Sequence, residues 1–434
     1  MKKTLGIALG LAASVVSMTL ATAALAQDTT IRMWTFLNPT GTAPREVALA
    51  KIISSYEAAN PGTKILVEPQ VWDQMTPKFL AAHANNNAPD VIWVVTDFLG
   101  DAIKSGSLAD LNELFVKDWS PERLADNAGA YWNLSEVDGK QHAIFVSRNY
   151  ISLMYRKDLL DAAGIDPNSF KSWDEFREAA KKLTVTDAAG NVSRYGFATA
   201  FSEQQADPSP IIPQILAAGE KLFNDDGTAN FASPTGVAAM TFITDLVSKD
   251  KVSPADAVSW TVDDLFEQFA ADRVAMIQGP AVRVSTLQAK LGKDKVGLAM
   301  WPGNGTAEHS PAVMAGWAVG VWSGSPVKEQ AGKFVEYMLG PDGDRVWVED
   351  GGQVPGLLST LENMKDFIAQ PGNEFLSVAA EGSAKYGWLT PIEFSVGGYR
   401  QVLNKAAQRI LVEGVAVEQA LKDAADEFNR QNNR

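Results

Sequence analysis

Short apolar runs alternate with longer amphipathic stretches along most of the chain. IRMWTF at 31–36 and TKILVEPQV at 63–71 are each followed by a helical pattern, near 48–59 and 77–84. PDVIWVV at 89–95 precedes a third such stretch. Strands separated by helices predict an α/β fold with a mainly parallel sheet. Later strand candidates lie at 141–147, 150–156, 194–201, 273–279, 295–301 and 313–322.

The segment KSWDEFREAAKKL at 171–183 carries the signals of a helix start. Ser172 can cap the helix, and Glu175 three residues later completes a capping-box pattern. From Pro326 onward the pattern is mostly helical and closes with an amphipathic helix. No Pro-rich linker separates two independent domains, so we expect two lobes between which the chain crosses more than once.

The first residues have the pattern of a secretory signal peptide. Lys2 and Lys3 precede an apolar stretch, and Ala24-Leu25-Ala26 matches the cleavage signal. We therefore predict that residues 1–26 are removed on export, which leaves 434 − 26 = 408 residues. That length exceeds what one hydrophobic core usually supports, which also favours two lobes.

The amino-acid composition limits the cellular compartment and the classes of binding partner that we expect for this protein. The chain has no cysteine, so disulfides, thiol chemistry and a lipid-acceptor cysteine are excluded. An exported protein without such an anchor fits the periplasm of a Gram-negative cell. The formal net charge of −14 argues against nucleic acid or an anionic membrane as partner.

Catalytic signatures are scarce. The chain lacks a G-x-S-x-G elbow, a G-x-x-x-x-G-K-[ST] loop and an H-E-x-x-H motif. His83, His142 and His309 are widely separated and match no metal-ligand spacing. We predict no cofactor, no metal site and no enzyme activity. Paired carboxylates in an exported glycosidase stay open, because sequence spacing does not exclude them.

Twelve tryptophans suggest both core packing and ligand contact. Three fall in strand or helix patterns and are expected in the core: Trp93, Trp173 and Trp347. Three others lie beside Gly or Pro, where contact and local packing are equally expected: Trp34, Trp317 and Trp388. Aromatic faces stack on the apolar C–H patches of a sugar ring, and its hydroxyls take directional hydrogen bonds from polar groups.

The order of several segments resembles the extracellular solute-binding proteins of carbohydrate ABC importers, the group that includes maltose-binding protein. Order and spacing together carry the resemblance, which spans nearly the whole chain after the signal. The segments are APDVIWV with LGDAIKSGSLADL, DGKQHAIFVSRNYISLMYRKDLLDAAGI, SWDEFREAAKKL, FEQFAADRVAMIQGPAV, MWPGNG, GGQVPG and VEQALKDAADEFN.

The resemblance implies a type II periplasmic binding protein fold, with a ligand cleft between two α/β lobes joined by a multi-crossing hinge. It assigns 27–148 and 313–358 to lobe 1, and 149–312 and 359–434 to lobe 2. The protein would bind a sugar, oligosaccharide or sugar alcohol as a monomer and deliver it to the transmembrane subunits of an ABC permease. It would perform no chemistry.

Asp97 is the leading site candidate because it directly follows the apolar strand 91–95. Ligands of open α/β sheets bind at the carboxyl ends of parallel strands. A carboxylate accepts several hydroxyl hydrogen bonds, and the resemblance implies a sugar-binding aspartate here. The alternative is that Asp97 caps the helix that follows.

The resemblance implies further contacts. Arg148 and Asn149 fall at the first lobe crossing, where Arg148 would favour an acidic or strongly hydroxylated sugar, or pair with Asp97. After the turn at 279–280, Ala281 stands where some relatives carry a stacking tryptophan, which weighs against a maltose-like ligand. The remaining candidates are Trp34, Asn38, Phe98, Asp207, Trp260, Gly316, Trp317, Tyr386, Trp388 and Arg400.

Two alternatives to carbohydrate binding remain. The same fold could bind a polyamine, a glycerol phosphate or an opine-like compound, and Arg148, Arg400 and Asp97 leave these choices open. An exported glycosidase is the alternative from a different functional class. The tryptophans favour a sugar.

Overall fold

A computed structural model describes residues 29–127, 129–204, 210–304, 307–393, 396 and 398–432. The predicted signal peptide, 1–26, and the site candidate Asp207 lie outside these residues. Within the described ranges, no helix is long and apolar enough to cross a membrane.

The strands and helices are numbered in chain order. Strands β1 to β12 are Thr29–Thr35, Thr63–Pro69, Val91–Val95, Glu136–Val137, Lys140–Gln141, Ile144–Arg156, Val185–Thr186, Val192–Ala198, Val274–Pro280, Val296–Ala299, Ala312–Val321 and Gly387–Leu389. Helices α1 to α19 are Pro44–Ala59, Met75–Ala84, Leu99–Lys104, Leu111–Leu114, Pro121–Asp126, Ala130–Leu134, Lys157–Ala163, Trp173–Leu183, Ile211–Ala217, Pro234–Ser248, Val262–Ala270, Val282–Leu291, Lys328–Met338, Pro341–Glu349, Leu358–Asn363, Lys365–Ile368, Glu374–Tyr386, Tyr399–Gln408 and Val417–Gln431. Short 3₁₀ turns lie at Thr96–Phe98, Val116–Asp118, Pro167–Ser169 and Ala255–Ser259, and a π-helical turn at Arg409–Glu413.

A mixed sheet of ten strands runs through the described residues in the order β2-β1-β3-β11-β6-β9-β8-β7, with β10 paired to β6 and β12 to β11. β1 is parallel to β2 and β3, and β8 is parallel to β9. The central strands β6 and β11 are antiparallel to each other and to their outer neighbours β9 and β3. The sheet is therefore mixed, with an antiparallel centre formed by β6 and β11, and the mainly parallel sheet predicted from the sequence is wrong.

Two hydrophobic cores lie along this sheet, and we call the parts of the chain around them the first and second lobes. The first core takes its buried residues from 31–146 and 314–347, and the second from 150–315 and 348–428. β6 and β11 contribute to both cores, and the chain passes between the cores again within α14. The long central strands therefore connect the lobes directly.

Two predicted strands, 141–147 and 150–156, meet in the single 13-residue strand β6. The polar pair Arg148-Asn149 interrupts the apolar pattern without ending the strand, because it lies where β6 passes from one core to the other. Polar residues at this position mark the crossing between lobes rather than a loop.

Helix α8 begins where the sequence predicts. The Ser172 hydroxyl accepts a hydrogen bond from the backbone N–H of Glu175 at 3.3 Å. The Glu175 carboxylate accepts from the backbone N–H of Lys171 at 2.6 Å, one residue before the expected partner. Both bonds satisfy backbone groups at the helix entry, and the apolar face of α8, including Phe176, is buried in the second core.

Candidate functional site

A cavity of about 80 Å³ lies between the two cores, where the paired strands β6 and β11 pass from one core to the other. Both lobes contribute to its wall. The described residues that line it are Phe36, Arg45, Trp72, Val95, Asn149, Ile151, Val262, Pro280, Val282, Arg283, Ala315, Gly316, Trp317 and Arg400. The wall thus combines aromatic rings, an amide and three guanidinium groups, and none of these residues is an aspartate or glutamate.

The parallel strands of the first lobe aim their carboxyl ends at this cavity. Phe36 directly follows β1, Trp72 lies three residues after β2, and Val95 is the last residue of β3. This is the place where open α/β sheets bind ligands. The Phe36 ring packs against Trp317 with ring centroids 4.8 Å apart, which forms an aromatic wall.

Trp72 carries an unsatisfied donor at this wall. Its indole N–H is shielded from solvent and has no hydrogen-bond partner among the described residues. A buried donor left unpaired costs about 1–3 kcal/mol. An acceptor on a bound ligand would remove that cost, so Trp72 is suited to a polar contact as well as to stacking.

The crossing strands form the floor of the cavity. Asn149 lies on β6, and its amide oxygen accepts from the Ser147 hydroxyl at 3.2 Å. On β11, the Gly316 carbonyl accepts from the Thr96 hydroxyl at 3.0 Å. A Cβ atom at Gly316 would lie 2.1 Å from the Ser147 carbonyl oxygen, so the close approach of β6 and β11 requires glycine here.

Asp97 and Arg400 form an ion pair beside the cavity. Asp97 Oδ1 accepts from Arg400 Nη2 at 2.9 Å and from the Thr390 hydroxyl at 3.4 Å. Arg400 Nε also donates to the Tyr399 hydroxyl at 3.1 Å. Burial raises the pKa of Asp97, and the charge of Arg400 opposes that rise. Because Asp97 follows β3 and Arg400 lies on α18, the pair joins the two lobes.

The alternative role of Asp97 as a helix cap is wrong. Neither the 3₁₀ turn at Thr96–Phe98 nor helix α3 has a side-chain cap hydrogen bond. The carboxylate faces Arg400 and Thr390 instead. Asp97 itself does not line the cavity, so it reaches the cavity wall through Arg400.

Arg148 does not lie in this cavity and does not pair with Asp97. Its guanidinium lies 5.4 Å from the centroid of the Tyr131 ring, in a groove that Met314 and Leu358 also line. Successive residues of a strand point to opposite faces, so Asn149 faces the cavity while Arg148 faces away. Burial lowers the pKa of Arg148 on that other side.

Two further candidates at the first strand have local partners. The Trp34 indole N–H donates to the Glu68 carboxylate at 2.7 Å. Asn38 is exposed, and its amide oxygen accepts from the backbone N–H of Thr40 at 3.1 Å and from the Thr40 hydroxyl at 2.9 Å. Neither residue lines the cavity.

Four other candidates also lie away from the cavity wall. Trp260 is buried in the second core, and Trp388 lies in β12, paired with Val313 of β11. The Tyr386 ring packs edge-on against His309 with centroids 5.3 Å apart. Phe98 is partly exposed in the 3₁₀ turn. The structure therefore brings together Asn149, Gly316, Trp317 and Arg400, with Asp97 beside them.

The sequence prediction missed Phe36, Trp72, Arg45 and Arg283. The first two follow strands as Asp97 does, so the same strand-end argument could have found them. Arg45 and Arg283 are each the second residue of a helix, α1 and α12. A cation is unfavourable at that end of a helix dipole, and this unusual placement was the available signal.

Within the described residues, no group of three or more His, Asp or Glu side chains could hold a metal ion. The candidate site therefore consists of hydrogen-bonding and aromatic side chains, and its geometry is that of a binding cleft between lobes.

Comparison with known proteins agrees with this geometry. The family model described as bacterial extracellular solute-binding protein matches residues 51–374. The structure is similar to that of an ABC transporter solute-binding protein from Thermotoga lettingae bound with α-D-tagatose. The TM-score is 0.80 and the identity 25%, over 93% of this chain and 99% of that one.

Two further proteins extend the comparison. Maltose-bound MalE3 of T. maritima has a TM-score of 0.78 and 22% identity, over 93% of this chain and 100% of that one. An uncharacterized lipoprotein in the oleD 5′ region of Streptomyces antibioticus is 26% identical over 358 residues, 80% of this chain and 72% of its own. The expected two-lobe α/β binding-protein fold and the resemblance to maltose-binding protein are confirmed.

Proposed function

This chain belongs to the family of bacterial extracellular solute-binding proteins, and we propose that it binds a sugar, oligosaccharide or sugar alcohol for an ABC importer. The observation that carries the proposal is the cavity between the lobes, with Phe36, Trp72 and Trp317 beside polar groups of Asn149 and Arg400. Rings stack on the apolar faces of a sugar, while amide and guanidinium groups bond its hydroxyls.

Binding and lobe closure are coupled in this proposal. The cavity holds about 80 Å³, which is several times the roughly 10–15 Å³ that one water needs. A ligand larger than this space requires the lobes to move apart before it enters. Closing them again would bring residues of both lobes onto the ligand, as in hinge closure of periplasmic binding proteins.

We assign 27–148 and 313–358 to one moving lobe, and 149–312 and 359–434 to the other. The separation of the two cores near residues 146–150 and 313–315 supports this division. The third passage between cores, at Trp347 and Val348, lies about ten residues before the assigned boundary at 358.

Residues 1–26 would direct export to a Gram-negative periplasm, where the monomeric protein would deliver its ligand to the transmembrane subunits of the permease. The family description supports an extracellular location.

We propose no catalytic role. Most glycosidases place two carboxylates beside the scissile bond. The described residues that line the cavity include no carboxylate, and Asp97 beside it is paired with Arg400. The arginines on the wall also disfavour a polyamine, because both the wall groups and that ligand would be cationic.

Titration of the protein with a panel of monosaccharides, disaccharides and sugar alcohols tests the proposal. Calorimetry should give heat of binding with at least one saccharide, and tryptophan fluorescence should change because Trp72 and Trp317 line the cavity. No binding heat and no fluorescence change with any compound would contradict it. Release of a chromophore from a nitrophenyl glycoside would support the glycosidase alternative.

A further inference from the structure

Two arginines from different lobes meet at the same cavity. Arg45 lies on α1 of the first lobe, and Arg283 lies on α12 of the second. Each is the second residue of its helix, where the helix dipole contributes a partial positive charge. The cavity wall therefore holds one guanidinium group from the first turn of each helix.

The two guanidinium groups differ in their partners. Arg283 Nη2 donates to Asp263 Oδ1 at 2.6 Å, so its charge is balanced by a carboxylate. Arg45 has no carboxylate within 4.0 Å among the described residues. Its guanidinium lies 5.2 Å from the centroid of the Phe36 ring.

The carboxylate beside Arg45 in sequence is already occupied. Glu46 accepts from the backbone N–H of Ala43 at 3.0 Å and from that of Asn38 at 3.3 Å. It therefore stabilises the start of α1 and the loop before it rather than pairing with Arg45. Arg45 lines the cavity, so its guanidinium is placed to donate to a group inside it.

The surroundings of Arg45 disfavour its own charge. Burial, and next the positive charge of Arg283, lowers the pKa of Arg45 to about 9, and the charges of Asp263 and Glu46 oppose that fall only in part. The guanidinium is still protonated at neutral pH, so a poorly compensated cation lies at the wall of a cleft. Such a cation costs free energy unless an anion approaches it.

We propose that the ligand carries an oxyanion, a carboxylate or a phosphate, that binds between Arg45 and Arg283, so that the solute is an acidic sugar or a sugar phosphate. This inference rests on the proposed function and specifies its ligand class. Guanidinium groups bind planar carboxylates and phosphates through paired, charge-assisted hydrogen bonds.

The position of the two arginines gives the anion a second effect. Because Arg45 belongs to one lobe and Arg283 to the other, an anion between them attracts both lobes. Without an anion the two cations repel each other across the cleft. An acidic ligand therefore favours the closed arrangement more than a neutral sugar of the same shape.

Calorimetry with matched ligands tests the proposal on the full chain at pH 7. The probes are glucose, glucuronate and glucose 6-phosphate, and the corresponding galactose series. At least one acidic member should bind about tenfold or more tightly than its neutral parent. The member that binds distinguishes a carboxylate from a phosphate. If neutral sugars bind as tightly as the acidic ones, the inference is overturned while the proposed function stands.

Substitutions assign the effect to the two arginines. Arg45→Gln and Arg283→Gln should each remove most of the preference for the acidic ligand over its neutral parent, measured as the ratio of the two affinities in the same variant. The matched control is Arg345→Gln, whose side chain is 66% exposed and lies outside the cavity. An unchanged preference for the acidic ligand in Arg45→Gln would overturn the inference.

A ligand-free measurement provides a second test. Since Arg45 is a poorly compensated cation, Arg45→Gln should raise the Tm of the unliganded protein, by about 2 °C. A fall in Tm would mean that Arg45 already has a stabilising partner in the protein, which overturns the inference. If no compound in either series binds the parent protein, the inference fails, and the wider saccharide panel decides separately whether the proposed function fails with it.

Discussion

The carboxylate of Asp97 and the guanidinium of Arg400 form an ion pair of 2.9 Å that joins the two lobes beside the cavity. Their side chains are only 11% and 5% exposed. Asp97 ends a strand of the first lobe and Arg400 lies on a helix of the second, so the pair exists only when the lobes are close together. It therefore links the closure of the cleft to the cavity wall, which Arg400 lines.

Asp97→Asn should weaken ligand binding by about 1.5–3 kcal/mol, the scale of a hydrogen bond to a charged group. The substitution removes the interlobe ion pair, so the open arrangement becomes more populated and the ligand must offset that shift. Calorimetry measures the affinity, and X-ray scattering should show a larger radius of gyration in the unliganded variant.

The control for this prediction is Asp174→Asn, an aspartate whose side chain is 86% exposed on α8. It should bind ligand like the parent. If Asp97→Asn also binds like the parent, the ion pair has no part in binding.

Trp72→Phe should weaken binding by about 0.5–1.5 kcal/mol, because the ring stays but the unpaired indole N–H is lost. The ligand-induced fluorescence change should decrease as well. Trp34→Phe is the matched control, since Trp34 lies outside the cavity and donates to Glu68. The assignment of Trp72 is wrong if Trp34→Phe, and not Trp72→Phe, weakens binding.

Gly316→Ala should destabilise the protein by about 1–3 kcal/mol, the usual cost of overpacking. The Cβ of the alanine would lie 2.1 Å from the Ser147 carbonyl oxygen, so the paired strands β6 and β11 would have to move apart between the two lobes. Urea unfolding measures the stability, and ligand affinity should fall with it.

Gly332→Ala on α13 provides the comparison for Gly316→Ala. The added Cβ would be 3.3 Å from the Leu114 side chain, and alanine favours a helix over glycine by about 1 kcal/mol. The helix preference offsets this tight contact, so Gly332→Ala should lose less stability than Gly316→Ala. Equal stability of the Gly316→Ala variant and the parent would contradict the close strand approach.

Glu68 gives a prediction about acid stability. Hydrogen bonding from Arg32, followed by that from the Trp34 indole, lowers the pKa of Glu68 against the opposing effect of burial. Because the native pKa lies below the unfolded value of about 4.3, this contribution is fully present above that pH. It is lost as the pH falls through the native pKa.

The partly exposed Arg32–Glu68 pair should contribute about 1 kcal/mol at most. Glu68→Gln should therefore lower stability at pH 7 by about that amount and have a smaller effect near pH 3, below the unfolded pKa. Urea unfolding at the two pH values measures the difference. A larger loss at pH 3 than at pH 7 would contradict the sign of the shift.

The strand-end argument from sequence found part of the site. It placed Asp97 beside the cavity, and it applies equally to Phe36 and Trp72, which were overlooked. The sequence analysis names Trp34 and not Phe36 as a candidate ligand contact. In the structure Trp34 lies inside β1, where its indole reaches Glu68 on the neighbouring strand. The apolar pattern alone could not fix the end of β1 to within one or two residues.

Other features depend on packing that the sequence does not encode locally. Arg148 and Asn149 are adjacent, and only the register of β6 against β11 decides which of them faces the cleft. Arg45 and Arg283 lie in different lobes and become neighbours of one cavity only when the lobes pack. By contrast, the alternation of strands and helices and the start of α8 follow from local pattern and were predicted correctly.

A crystal structure of the protein with the tightest-binding saccharide of the panel shows directly whether the ligand binds between the lobes. The predicted result is a ligand between the lobes, in contact with Phe36 or Trp72 on one side and with Arg283 or Arg400 on the other. A saccharide bound at saturation to the outer surface, or to one lobe alone with the cavity empty, would contradict the account.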